Sequence, residues 1–127
     1  MADTSNVQIT ISFIDEDLSS EEKNEEVKKL LAKIKTLDDV EEVNRIPDPN
    51  PPEGNKSLTG WVAGKLVAVV KPENIKQVFG FLINRLANKS IEVEAEANGK
   101  KIKVKANSLS ELEAAVKTVE AFVNGGK

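Results

Sequence analysis

Catalysis needs a nucleophile beside a base, a cluster of metal-ligating side chains, or a loop shaped for phosphate. This chain is poor in all three. It contains no His, no Cys and no Tyr, so His-based triads and thiol chemistry are excluded. A Ser–Lys pair is the remaining nucleophilic option, but Ser19 and Ser108 each stand three residues before a Glu, the spacing of a helix capping box. Asp15, Asp17, Ser19, Glu21 and Glu26 fall near the ligand positions of a calcium-binding loop. Ser20, however, occupies the place where that loop needs Gly, and a strand rather than a helix leads in. Asp38, Asp39, Glu41 and Glu42 suit a solvated helix-to-strand turn. Gly54-Asn55-Lys56-Ser57 lacks the upstream Gly and the preceding strand of a phosphate loop. The sequence therefore predicts a protein that is not an enzyme, with no catalytic residues, no metal and no cofactor.

The remaining candidates are binding residues. Gly60-x-x-x-Gly64 permits close approach of another backbone, and Trp61, of a type enriched at binding hot spots, lies between the two glycines. With Leu66 and Val69 these form the expected interaction set: Trp61, Gly60, Gly64, Leu66 and Val69. Flat apolar surface of this kind invites a copy of the chain or a partner protein. The plainer alternative is that Trp61, and segment 58–70 as a whole, is core. The proline-rich stretch could dock in a groove, or simply connect two elements.

These residues need elements to position them. Val7, Ile9, Ile11 and Phe13 alternate with Gln8, Thr10 and Ser12, the pattern of a half-buried strand. Ser19-Ser20-Glu21-Glu22 opens a helix whose inner stripe is Val27, Leu30, Leu31, Ile34 and Leu37, stopped by Asp38-Asp39. Val40–Ile46 is a weaker strand anchored by Val43, and the strand–helix–strand order suggests a right-handed crossover with parallel pairing. Pro47 to Lys56 carries four prolines and reads as a stiff, extended loop. Leu58–Val70 is the most apolar stretch and is expected as a buried helix, although the Val-rich run 66–70 suits a strand equally. Pro72 then starts a helix with the stripe Ile75, Val78, Phe79, Leu82, Ile83 and Leu86.

The sharpest local expectation is a hairpin, because Asn98-Gly99 is the strongest two-residue signal for a type I′ turn. That turn sets Glu96, Glu94 and Glu92 opposite Lys101, Lys103 and Lys105. On the other face Ala95, Val93 and Ile91 meet Ile102, Val104 and Ala106. A second capping box, Ser108 to Glu111, opens a closing helix with Leu112, Ala115, Val116, Val119, Phe122 and Val123 inside. The expected fold is α+β: a two-layer sandwich with about four strands in β-α-β-α-α-β-β-α order and helices on one face. It spans 1–127 as a single domain, with a disordered tail over 1–6, the Pro-rich loop over 47–57 and a C-terminal tail over 124–127.

Bulk properties agree. The chain has 127 residues, 39% hydrophobic and 31% charged, with net charge −3, which fits one globular domain with a real core. Interspersed Lys and acid argue against nucleic acid and anionic membrane as partners. Absence of Cys and of a basic-then-apolar leader points to the cytoplasm. Roughly 13 apolar residues are too few for a membrane span, which needs about 20.

From Gly60 to Val123 the pattern resembles a known family. The Gly-containing apolar stretch with Trp61 is followed by Pro72-Glu73-Asn74-Ile75-Lys76-Gln77-Val78-Phe79-Gly80-Phe81-Leu82, by Ile91-Glu92-Val93, by Asn98-Gly99-Lys100-Lys101-Ile102-Lys103-Val104 and by Leu109-x-x-Leu112. This order is similar to the effector-associated constant component domain of bacterial conflict (immune) systems. The resemblance implies a non-catalytic protein-interaction module, an adaptor whose partners include a protease or NTPase encoded nearby. Two other classes stay open. One is a homo-oligomeric structural protein self-associating through 58–70. The other is a membrane-active component exposing 58–86, although Lys65, Lys71, Glu73, Lys76 and Arg85 oppose deep insertion.

Overall fold

The computed structural model describes residues 6–38, 40–47, 61–86, 89–97 and 99–123. Of the loop expected over 47–57, Pro47 instead ends a strand and residues 48–57 lie outside that set, as do the C-terminal tail, residues 1–5 of the N-terminal tail, Gly60, Asn98 and the side chain of Trp61. In chain order the elements are β1 (Val7–Phe13), α1 (Ser20–Ile34), β2 (Val40–Pro47), β3 (Trp61–Val70), a 3₁₀ turn (Pro72–Asn74), α2 (Ile75–Leu86), β4 (Ile91–Ala97), β5 (Lys100–Ala106) and α3 (Leu109–Val123).

The strands form one five-stranded sheet in the order β2-β3-β1-β4-β5, every neighbouring pair antiparallel. Two expectations need correction. Residues 61–70 form a strand, not a helix, which raises the strand number from about four to five. Their composition explains it: β3 lies between two neighbours, where β-branched residues suit both faces. Leu66, Ala68 and Val70 turn inward while Lys65, Val67 and Val69 are half-buried on the other side. Second, β1 and β2 run in the same direction, but β3 separates them, so they do not pair directly. From β1 to β4 this is the split β-α-β-β-α-β arrangement called ferredoxin-like; β5 and α3 extend it.

The hairpin register follows the sequence expectation at all six pairs, from Glu96↔Lys101 to Ile91↔Ala106. Gly99 has φ +79°, a backbone region that Gly occupies without penalty. Both capping serines do their expected work: Ser19 Oγ accepts from the Glu22 amide at 3.1 Å and Ser108 Oγ from the Glu111 amide at 3.2 Å. Glu22 returns the bond to the Ser19 amide, whereas Glu111 reaches one residue further back, to the Asn107 amide. Helix α1 ends a turn earlier than its apolar stripe suggests. Thr36 Oγ1 donates to the Lys33 carbonyl, and Leu37 lies in the tight turn that follows.

One core joins the layers. Val7, Ile9, Ile11, Phe13, Leu66, Ala68, Val70, Ile91, Val93 and Ala95 meet Val27, Leu30 and Ile34 of α1, Val78, Phe79 and Leu82 of α2, and Leu112, Val116 and Val119 of α3. Burying each of the larger aliphatic side chains stabilises the fold by about 1.5–3 kcal/mol. All three helices contribute to this face, and the opposite face of the sheet carries mostly polar residues, with Val67 and Val69 among them.

Candidate functional site

The opposite face has no described helix over it, and pairing fixes its layout, with Ser12 buried at 5% exposure and the lysines of β5 exposed. Across the sheet run three rows: Glu42, Val69, Gln8, Glu96, Lys101; then Asn44, Val67, Thr10, Glu94, Lys103; then Lys65, Ser12, Glu92, Lys105. The columns are therefore sorted by chemistry. Strand β4 presents three carboxylates, β5 three ammonium groups, β1 neutral polar groups and β3 two valines beside Lys65. Among the described residues Lys101 is the one member of its column that reaches a carboxylate, Glu94 at 3.5 Å on the diagonal. With Lys101 62% exposed, that pair is screened and holds the column only weakly.

Of the five sequence candidates, Gly64, Leu66 and Val69 are described in full, and they do not share one surface. Leu66 is 0% exposed, inside the core. Val69 lies half-buried on the open face, opposite to Leu66, as strand alternation requires. Gly64 is buried beneath α1: a Cβ added there would sit 3.2 Å from Lys23 Cβ and 3.4 Å from the Phe13 carbonyl oxygen. Trp61 pairs with Pro47 at the start of β3, and Gly60 lies outside the described residues.

Gly64 belongs to a part-buried junction that the sequence does not reveal. Between Arg45↔Leu66 and Pro47↔Trp61 the register slips, and Gly64 takes φ +75° there. Asn24 Oδ1, on α1, accepts from Arg45 Nη2 at 2.9 Å and from the Gly64 amide at 3.3 Å. One side chain thus ties α1, β2 and β3 together. The residues lie 21 and 40 positions from Asn24, so no local spacing signals the link.

Of the residues that resemble a calcium loop, Asp15, Ser19 and Glu26 have protein partners. Asp15 Oδ1 accepts from the Asp17 amide at 3.0 Å, Ser19 and Glu22 cap each other, and Glu26 pairs with Lys89 at 3.3 Å. Glu42 accepts from Asn44 and Glu41 faces Lys71 at 3.9 Å. Among the described residues no three His, Cys, Asp or Glu side chains converge as a metal site would need. Gly54 to Ser57 lies outside the described residues. A groove between α1 and α2 is lined by Phe13, Leu30 and Leu86 together with the charged Glu26, Lys29, Lys33, Arg85 and Lys89. No described helix is long and apolar enough to cross a membrane.

Comparison with family models, curated proteins and solved structures found no match to this chain.

Proposed function

We propose that this chain is a non-catalytic protein-interaction module, an adaptor that couples partners in a bacterial multi-component conflict system. The observation that carries the reading is the side of the sheet away from the helices: five strands present acidic, basic and small polar columns with two valines among them, and no helix among the described residues lies over it. A surface of sorted charges favours choice of partner and speed of encounter rather than turnover. The hydrophobic order from Gly60 to Val123 supports the conflict-system context, and a protease or NTPase encoded nearby is the expected partner. The fold alone assigns nothing, because ferredoxin-like sheets host many activities.

The oligomeric and membrane-active alternatives both draw on exposed apolar surface in 58–86. In the described part of that segment Leu66, Ala68, Val70, Ile75, Val78, Phe79, Leu82 and Leu86 are each at most 3% exposed. Of the described apolar residues in that segment, Val67, Val69, Phe81 and Ile83 are the partly exposed ones, and Val69 is the member of the sequence-derived set among them. The test is co-purification of the full chain with the products of adjacent genes. Wild type should retain one of them, and Val69→Lys, placed between Glu42 and Gln8, should lose it with an unchanged melting curve. Failure of every neighbour to co-purify with the wild type overturns the proposal.

A further inference from the structure

The two edges of the sheet are built differently. At one edge β2 is broken by register shifts between Val40 and Glu42 and between Arg45 and Pro47. Irregularity of this kind blunts an edge, because a bulged strand cannot offer an even ladder to another chain. At the other edge β5 pairs with β4 over seven unbroken positions, Ile91↔Ala106 to Ala97↔Lys100, and among the described residues β5 has no second neighbour. Its outward N–H and C=O groups are spaced for one more strand.

Side chains say which strand. Lys101, Lys103 and Lys105 are exposed on the open face, and Ile102 and Val104 are half-buried on the helix side. Among the described residues Lys103 and Lys105 form no ion pair, Lys101 alone of the three reaching a carboxylate. The sheet already contains the complement of this pattern: β4, Ile91-Glu92-Val93-Glu94-Ala95-Glu96-Ala97, sets an acid against every lysine and an apolar residue against Ile102 and Val104. Edge lysines ordinarily guard against aggregation, and here the guard is selective. A second copy's β5 laid along this edge would place lysine column beside lysine column, which disfavours it. An acidic strand meets no such barrier.

We infer that the free edge of β5 is a docking site for a partner's extended segment of alternating acidic and apolar residues, added to the sheet as a sixth strand. Main-chain hydrogen bonds hold the segment, and the lysine column reads its charge. This deepens the adaptor proposal and rests on it, naming the kind of partner segment the module takes.

The test titrates the isotope-labelled full chain with a synthetic heptapeptide of β4 sequence, residues 91–97, followed by amide NMR. Shifts should concentrate in Lys100–Ala106 and saturate. They should vanish when alternate peptide amides are N-methylated, and when the three peptide glutamates are replaced by lysine. Lys103→Glu should weaken the acidic peptide on the order of fivefold, a lost attraction plus a gained repulsion, and strengthen the lysine peptide, with the melting curve checked for each variant. Shifts mapping outside β5, or equal binding of the N-methylated or lysine peptides, overturn the inference. So does a response of the β5 amides to vesicles of phosphatidylserine and phosphatidylcholine with none to the peptide. If a gene neighbour co-purifies equally with wild type and Lys103→Glu while the peptide fails, the edge inference falls and the adaptor reading stands. If the peptide docks and no neighbour co-purifies, the reverse holds.

Discussion

Two glycines with the same backbone conformation should respond very differently to one added methyl group. Gly64 and Gly99 have φ +75° and +79°, so Ala at either position carries a left-handed penalty of about 1–2 kcal/mol. Part of it is offset by the stiffer unfolded chain, by about 0.4–1 kcal/mol. Around Gly99 nothing lies within 4 Å of the new Cβ, so Gly99→Ala should cost about 1 kcal/mol and no more. At Gly64 the Cβ meets Lys23 Cβ at 3.2 Å, Lys23 Cδ at 3.3 Å and the Phe13 carbonyl at 3.4 Å. The Lys23 Cβ belongs to a helix held in place by Asn24, so it cannot yield freely, and crowding of that kind adds about 1–3 kcal/mol. Gly64→Ala should therefore cost about 2–4 kcal/mol. Urea unfolding of both variants, at a common m-value, measures the difference. Equal midpoints, or a larger loss at Gly99, would refute the placement of Gly64 under α1. Gly64→Glu should destabilise further, so it cannot serve as a probe of an interface that leaves the fold intact.

Other perturbations test separate parts of the structure. Ser19→Ala and Ser108→Ala should each cost about 1 kcal/mol in thermal or chemical unfolding, the worth of an N-cap; no loss at either would contradict the capping bonds. Asn24→Leu removes the acceptor shared by Arg45 and Gly64, and calorimetry should register about 1–3 kcal/mol. Millimolar calcium should leave the melting temperature unchanged. A rise of several degrees would show a cation bound by the folded state and revive the Asp15–Glu26 loop as a site. Gly99→Val, with a β-branched side chain at positive φ, should exceed Gly99→Ala by a measurable margin in the same urea series.

What was legible in the sequence was what is decided locally. Asn98-Gly99 fixes a two-residue loop, and strict alternation of acids and lysines with apolar residues then fixes the partners of every residue in β4 and β5. Capping serines and apolar stripes likewise placed α1, α2 and α3. In β3 the sequence leaves helix and strand open, because its exterior positions, Val67 and Val69, are apolar, which erases the alternation that marks a half-buried strand. The spacing of Gly60, Trp61 and Gly64 matches a helix-packing motif, whereas Gly64 sits at an irregularity in a strand. The order of strands, and with it the layout of the open face, depends on β3 inserting between β1 and β2. That long-range choice leaves no periodic trace. The lysine column was visible, but only the sheet order shows that β5 is an edge.

Hydrogen exchange of the full chain, alone and bound to the gene neighbour it co-purifies with, tests most directly whether this protein works by presenting the bare side of its sheet. Added protection is expected in β5, whose outward amides gain partners, with smaller changes in β1 and β3. Protection confined to α1, α2 and α3, with β5 exchanging as fast in the complex as in the free chain, would contradict it.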